Sequence, residues 1–464
     1  MNVRKYFGDR KFYKMVLMIA VPIMIQNGIT NFVSLLDNVM VGQLGTEAMS
    51  AVSIVNNLIF VFNLLIFGAI SSAGIFTAQY HGYDDVQGVK YTFRFKFIII
   101  TIASFAALAV FGLAGDSLIS LFLHESESGS DLALTLSHAR EYLTVMLVGL
   151  IPYAVSQAYA STLRETGKTI LPMISSICAV LTNFVLNYIL IFGKFGAPVL
   201  GVNGAAIATV ISRFVEMAIL IIWTHTNSSK CPFIKGAYRS PYIPRTLTKN
   251  IVVRGLPLLL NEFMWSAGVT ITTQCYSTRG LDVVAALNIS TTINNVFNVV
   301  YLALGSAIAI VVGNLLGAAK LDEARDTDRK MIAFSIMCSV GMGVLLTAFS
   351  GVIPMMYNTT DAVRGLATFM MIVLACIMPF GAYAHGAYFT LRSGGRVMIT
   401  LLFDSVYMWV VVIPTAFILS RATSISIFWL YPICQSLEIF KAIFGAVILR
   451  KCNWVRQLVG KDEK

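Results

Sequence analysis

Charge is scarce in this 464-residue chain: 12% of its residues are Asp, Glu, Lys or Arg, about half the share of an ordinary soluble domain. With 57% hydrophobic residues and a mean hydropathy of +0.76, the scarcity excludes a water-exposed globule and points to lipid as the solvent. Acid is scarcer than base, 23 residues against 34, for a formal net charge of +11. Such an excess can mark a nucleic-acid partner. Here the basic residues fall in short stretches between apolar runs and not on one folded face, which excludes that partner. The seven cysteines (Cys178, Cys231, Cys275, Cys338, Cys376, Cys434 and Cys452) are odd in number and lack CxxC spacing, so neither a disulfide framework nor a metal site follows. A nucleotide loop is also missing. Gly313-Asn-Leu-Leu-Gly317-Ala-Ala-Lys320 has the wrong glycine-to-lysine spacing and closes an apolar segment. The basic stretch Met1 to Lys14 precedes an apolar run too long for a leader core, with no small-residue cleavage site before Asp37, so it reads as the start of a membrane span.

What is abundant is long apolar sequence. About 20 apolar residues span a bilayer. Twelve segments reach that length: 14–39, 48–79, 96–122, 141–163, 168–192, 201–224, 251–276, 283–317, 331–353, 366–390, 397–419 and 425–449. Pro22, Gly68, Pro152, Pro257, Gly305, Pro379 and Pro414 lie inside them, which bundled membrane helices tolerate because neighbours re-satisfy the freed backbone groups. The expected fold is an all-α polytopic membrane protein.

Twelve spans place both termini on one side, and the cations say which. The N-terminus, the even-numbered turns and the C-terminus together hold 27 of the 34 Lys and Arg. The opposite side holds five (Arg140, Lys194, Arg279, Arg364, Arg421), and Arg213 and Lys441 lie inside spans. This asymmetry predicts cytoplasmic termini in a cell membrane.

The longest inner turn, 225–250, separates residues 1–224 from 251–464, the expected N-lobe and C-lobe of six spans each. The halves resemble one another. Pro22, Gln79 and Gly82 correspond to Pro257, Asn314 and Gly317 at an offset of 235. Thr162-Leu-Arg164 and Gly167 correspond to Thr390-Leu-Arg392 and Gly395 at 228, as unequal outer loops would produce. An even number of spans per half makes the repeats parallel, with a cleft expected between them.

Small polar residues form stripes at helical spacing. They are Asn27, Thr30, Asn31, Ser34, Asp37 and Asn38 on the first span and Asn183 and Asn187 on the fifth. Glu262, Ser266, Thr270 and Thr273 mark the seventh span; Asn288, Thr291, Thr292, Asn295 and Asn298 mark the eighth. Singly these are interhelical hydrogen-bonding groups. Four stripes together require a wet or shared surface, for which Asn31, Ser34, Ser266, Asn288, Asn295 and the aromatic Tyr407 are candidate lining residues. Aromatic faces there suit flat organic cations, at about 0.5–2 kcal/mol each.

Five acids lie in or near the spans. Glu216 follows Arg213 by three residues and Glu438 precedes Lys441 by three, so each has a partner on its own helix. Asp37, Glu262 and Asp404 have none. Each unpaired Asp at mid-bilayer costs roughly 2.5–3.5 kcal/mol, so three would cost about 8–10, comparable with the stability of a whole protein. These three are expected to face water, share protons or bind cations. Without a nucleotide site, an ion gradient must supply the energy.

Four further stretches identify a family. Asp37-Asn-Val-Met-Val-Gly-Gln-Leu-Gly45, Asn187-Tyr-Ile-Leu-Ile-Phe-Gly193, Gly201-Val-Asn-Gly-Ala-Ala-Ile-Ala-Thr209 and Val312-Gly-Asn-Leu-Leu-Gly-Ala318 together resemble the MATE (multidrug and toxic compound extrusion) family over essentially the whole chain, with NorM-like and some DinF-like features. The resemblance implies a V-shaped, two-lobed bundle, alternating access, and export of cationic or amphipathic compounds driven by inward Na⁺ or H⁺. Asp37 matches the aspartate implicated in coupling on the family's first helix. Glu262, in Pro257-Leu-Leu-Leu-Asn-Glu262, resembles the NorM-like glutamate, one turn closer to its proline. Asn183 and Asn187 match a DinF-like pair whose second member is often Asp; an amide there argues for Na⁺ coordination over a proton switch. Candidate Na⁺ ligands are thus Asp37, Glu262, Asn183 and Asn187. The tenth span lacks the acid expected of NorM-like exporters, and Asp404 on the eleventh is its candidate replacement. No cofactor beyond the coupling ion is expected, and a monomer is. The alternative, a lipid-linked saccharide flippase, would need unpaired Arg or Lys in its cavity; a channel or receptor without a transport cycle fits neither the repeat nor the buried acids.

Overall fold

The computed structural model describes residues 3–121, 132–357 and 359–460; the side chains of residues 3, 4, 33–35, 38, 39 and 46 lie outside that description. Ser34 and Asn38 of the first polar stripe fall among them. All regular structure in the described residues is helical, as expected where no water is present to satisfy backbone N–H and C=O groups.

The described residues form twelve long helices, in order α1 Arg10–Gly42, α2 Thr46–Gly82, α3 Val86–Ser120, α4 Leu132–Glu165, α5 Ile170–Phe192 and α6 Gly201–Thr226, then α7 Arg245–Ser277, α8 Leu281–Gly317, α9 Leu321–Phe349, α10 Asp361–Ser393, α11 Val397–Arg421 and α12 Ile427–Lys451. Eleven of the described helices are long and apolar enough to cross a membrane. The twelfth, α7, is 33 residues long but too polar to qualify, since it carries Arg254, Asn261 and Glu262 among its apolar residues. Side chains close several helix ends. Asp85 accepts from the Gln87 and Gly88 N–H groups at the start of α3, Thr360 accepts from Val363 N–H at α10, and Gly193 ends α5 in the left-handed conformation at φ 63°.

The helices form two compact units. One comprises Ile25–Thr77 and Asp85–Ile251; the other comprises Met1–Met24, Ala78–Asp84 and Val252–Lys464. The first is called the N-terminal unit below and the second the C-terminal unit. The division by chain at 224 and 251 and the division by packing differ, because α1 and α2 each contribute to both units. The 225–250 segment, expected as a linker, is folded against α3. Arg94 donates to the carbonyls of Gly236, Ala237 and Tyr242 at 2.9, 2.7 and 3.1 Å, and Cys231 and Phe233 are buried. One guanidinium fork thereby answers three carbonyls of non-helical backbone.

Within the C-terminal unit, the ends of α2 and α8 cross on repeat-related glycines. A Cβ on Gly82 would overlap the Asn314 carbonyl, and a Cβ on Gly317 would overlap the Gln79 carbonyl. The two contacts are reciprocal under the 235-residue offset, so the same four positions that betrayed the repeat make its closest approach. A segment after α12 seals this crossing. Gln79 donates to the carbonyls of Ser393 (3.0 Å) and Arg456 (3.3 Å) and accepts from Leu458 N–H (2.6 Å), while Gln457 donates to the Gly317 carbonyl (2.8 Å).

Two cations counted among the turns are buried in helices instead. Lys96 of α3 is fully buried, where its ammonium meets Glu165, Ser161 and Thr162, and Arg392 of α10 is also buried. Neither can contribute to a charged surface, though the large excess of cations on one side persists without them.

Because the Gly82–Asn314 contact is backbone against a missing Cβ, no rotamer change can relieve it. Gly82→Val or Gly317→Val is expected to destabilise the fold by about 1–3 kcal/mol or more. Thermal unfolding in detergent, followed by fluorescence-detected size exclusion, checks this; wild-type midpoints for both variants would refute the crossing.

Candidate functional site

Each unit holds one polar site. In the N-terminal unit, the polar stripes of α1 and α5 meet at Asp37. Asn187, one turn after Asn183 on α5, donates to Asp37 Oδ1 at 2.6 Å. With its amide nitrogen facing Asp37, Asn183 donates to Oδ1 and Oδ2 at 2.9 and 3.3 Å and accepts from the Thr209 hydroxyl of α6 at 3.1 Å. Asn187 is 1% exposed and its Oδ1 has no hydrogen-bond partner. A buried acceptor without a partner, next to a carboxylate, is chemistry that a cation could satisfy. A cavity of about 100 Å³ opens beside this group, lined by Asp37, Asn183, Thr209, Ser176, Arg213 and Glu216 among others. Carboxylate, amide and hydroxyl oxygens suit a hard monovalent cation. Of the sequence candidates, Asp37, Asn183 and Asn187 are thus brought together. Asn31 is exposed and does not line the cavity.

In the C-terminal unit, α7, α8, α11 and α12 surround a cavity of about 370 Å³. Its lining includes Trp265, Tyr276, Asn295, Asp404, Tyr407 and Glu438. Volume, aromatic faces and amides suit a flat organic molecule better than a bare ion. Asn295 and Tyr407 therefore line a cavity, whereas Ser266 and Asn288 do not line this one. The Tyr407 hydroxyl is committed to the Leu437 carbonyl at 2.8 Å, leaving its ring as the exposed feature.

Asp404 departs from expectation: it is paired. Lys441 of α12 donates to its Oδ1 at 2.7 Å and Asn261 of α7 to its Oδ2 at 3.0 Å. Glu438, the partner expected from i, i+3 spacing, stands farther from Lys441, at 3.7 Å. The residue nearest in sequence loses to the residue nearest in space, and the backbone explains how. Asp404 lies in the first of two π-helical stretches of α11, Leu402–Val406 and Met408–Val412, whose wider turn re-aims side chains away from the 3.6-residue register. Ser405 fixes the same joint, its hydroxyl lying within donating distance of both the backbone and the side-chain oxygen of Asn261. Glu262, next to Asn261, lies beside the Tyr388 hydroxyl and in the field of Arg392.

Sequence reasoning missed several of these groups. Asn261 interrupts the run Leu258-Leu-Leu, and Gln26 lies on the Asp37 stripe four residues before Thr30, so both carried a visible polar signal. Asp328 of α9 was hidden by its place among surface charges, yet it is buried and accepts from Thr390. Nothing in the sequence ties Asp404 to Lys441.

The pair is buried, so removing one member strands the other. Asp404→Asn is expected to destabilise the protein by about 3–5 kcal/mol, while the double variant Asp404→Asn/Lys441→Met recovers most of that loss. Thermal unfolding of both in detergent decides it. Equal losses in the single and double variants would contradict the pairing.

Comparison with known proteins places this geometry. The MatE family model matches twice, over residues 22–189 and 257–418, once in each repeat and together well over half of the chain. The two matches begin 235 residues apart, at Pro22 and Pro257. The chain is similar to the probable multidrug resistance protein NorM of Thermotoga maritima, 23% identical with 97% of this chain and 95% of that one covered. It is also 26% identical to the protein of the same name from Oceanobacillus iheyensis, over 89% of this chain and 91% of that one. Among solved structures, an outward-facing multidrug resistance MATE family transporter superposes with a TM-score of 0.84 at 20% identity, covering 97% of each chain. A MATE structure in complex with MaL6 gives 0.85 at 20% identity, again over 97% of each. The acid sites, the doubled helix set and the family match converge: this chain is a multi-pass membrane transporter and belongs to the MATE family.

Proposed function

We propose that this protein is a secondary active antiporter of the cell membrane, with both termini in the cytoplasm, that exports cationic or amphipathic organic compounds in exchange for inward Na⁺ or H⁺ by alternating access. The observation that carries the reading is the division of labour by size between two acid-bearing cavities. The N-terminal unit offers about 100 Å³ around Asp37, enough for an ion and a few waters, while the C-terminal unit offers about 370 Å³ walled by aromatic and amide groups. Formal charges in the larger cavity are Asp404 and Glu438 against Lys441, which leaves one negative charge for a monovalent organic cation. The relatives' names, as multidrug resistance proteins, agree with this substrate class. A saccharide-lipid flippase is disfavoured, because Lys441 is engaged by Asp404 and is not available to a pyrophosphate.

Asp37, Asn183 and Asn187 are assigned to the coupling ion and Glu262 to a second acid of the cycle in the C-terminal unit. Asp404 serves the larger cavity through its pair with Lys441. Inward movement of one monovalent cation releases about 1.4 kcal/mol per tenfold gradient and about 2.3 kcal/mol per 100 mV. One-for-one exchange against a monovalent drug cancels the electrical part, so the concentration gradient alone then drives export.

Ethidium transport in proteoliposomes, with imposed Na⁺ or H⁺ gradients, tests the proposal. Asp37→Asn and Glu262→Gln are each expected to lower the gradient-driven rate at least tenfold while the protein remains folded and inserted. Gradient-dependent rates that stay at the wild-type level in both variants would sink the assignment.

A further inference from the structure

Glu216 has the sequence spacing of a structural ion pair, three residues after Arg213, but its surroundings do not behave as one. The Arg213 guanidinium lies 3.8 Å from Glu216 Oε2, at the outer edge of pairing distance, and is centred 4.7 Å over the Tyr153 ring. Its side chain is 36% exposed, whereas that of Glu216 is 7% exposed. The arginine reaches the surface while the carboxylate stays buried.

What holds Glu216 is a directed chain of donors. Arg164 donates to Gln26 Oε1 at 3.3 Å, Gln26 donates to Ser176 Oγ at 2.8 Å, and Ser176 donates to Glu216 Oε1 at 2.7 Å. Four helices contribute one residue each, α4, α1, α5 and α6, and every bond points at the carboxylate. The chain fixes Oε1, Oε2 has only the distant Arg213 beside it, and Glu216 lines the cavity. That cavity is the one lined by Asp37. Asn183 and Ser176 on α5 are seven residues apart, as are Thr209 and Glu216 on α6, so it follows both helices for about two turns, roughly 10 Å. Hydroxyls of Thr30, Ser176, Thr209 and Ser212 line its length.

We propose that Glu216 is a second cation-binding carboxylate of the N-terminal unit, sharing one Na⁺ or H⁺ with Asp37 across this cavity. Charge sets the number of ions. Asp37 and Glu216 carry two negative charges and Arg213 one positive, so a single monovalent cation neutralises the cavity and a second would overcharge it. The remaining charged and titratable groups around Glu216 are Tyr153 and Arg164 of α4, with Glu165 beside them. Arg164 lies at the end of α4 that the cation distribution assigns to the cytoplasm, which makes Glu216 the inner station and Asp37 the outer one.

The inference rests on the reading of the protein as a cation-driven exporter, and the test separates the two. Full-length protein in proteoliposomes is given an inward Na⁺ gradient at equal pH, or a pH gradient without Na⁺. Ethidium export is measured against the concentration of the driving cation, beside ethidium counterflow without any gradient. Glu216→Gln is expected to raise the half-saturating cation concentration at least tenfold, with ethidium counterflow still measurable as the sign of folded, inserted protein. Glu216→Asp, which keeps the charge but shortens its reach, should shift half-saturation by a smaller factor. Because one ion is shared, the double variant Asp37→Asn/Glu216→Gln should be no worse than Asp37→Asn alone. A wild-type half-saturation in Glu216→Gln overturns the proposal, as does multiplication of the two single effects in the double variant. If Glu216→Gln loses counterflow through misfolding, an unshifted Glu216→Asp overturns it instead. Wild-type protein that exports in neither arm would overturn the exporter reading itself, and the proposal with it.

Discussion

Hydrocarbon offers no hydrogen-bond partner, so every polar group that this chain carries into the membrane has to be answered by the chain itself. Much of the structure follows from that demand. Backbone groups are answered within helices, and where the backbone leaves the helix a side chain takes over, as Arg94 does for three carbonyls of the 225–250 segment. Charges are answered by burial in pairs or donor sets: Lys96 with Glu165, Asp404 with Lys441 and Asn261, Asp37 with the amides of α5. The groups left incompletely answered stand out for that reason. Asn187 Oδ1, buried beside the Asp37 carboxylate, is one of them.

The internal repeat supplies a scaffold and the charges break its symmetry. Thr162 and Thr390 occupy equivalent positions, and the Thr162 hydroxyl donates to the Ala158 carbonyl four residues earlier. In the N-terminal unit the threonine receives Lys96; in the C-terminal unit it donates to Asp328. The same joint is therefore built around opposite charges. The polar sites diverge in a similar way. One repeat closes on a cavity of ionic dimensions and the other on one large enough for an aromatic compound.

Local rules fail here where backbone geometry is irregular. Spacing of three or four residues finds neighbours along a regular helix, and it put Asn183 and Asn187 on one face of α5, where both amides reach Asp37. It failed for α11, where π turns shift the register and direct Asp404 across to α12. It was also incomplete for Glu216, since a possible neighbour on the same helix says nothing about donors arriving from α5, α1 and α4.

The expectation that opens with scarce charge was sound at the level of solvent and span count. Twelve helices, the repeat and the candidate acids were legible because apolar length, cation asymmetry and repeated motifs are one-dimensional signals. Even α7, which carries Arg254, Asn261 and Glu262, showed enough apolar length over 251–276 to be read as a span. Which acids share a cavity was not legible. Asp37 and Glu216 are 179 residues apart in the chain, and Asp404 and Lys441 are 37, so their association depends on helix rotation and crossing. By itself, the sequence determined that carboxylates had to enter the membrane and that doing so demanded compensation. Only the tertiary structure decided where that compensation is complete, because it depends on donors arriving from several helices at once.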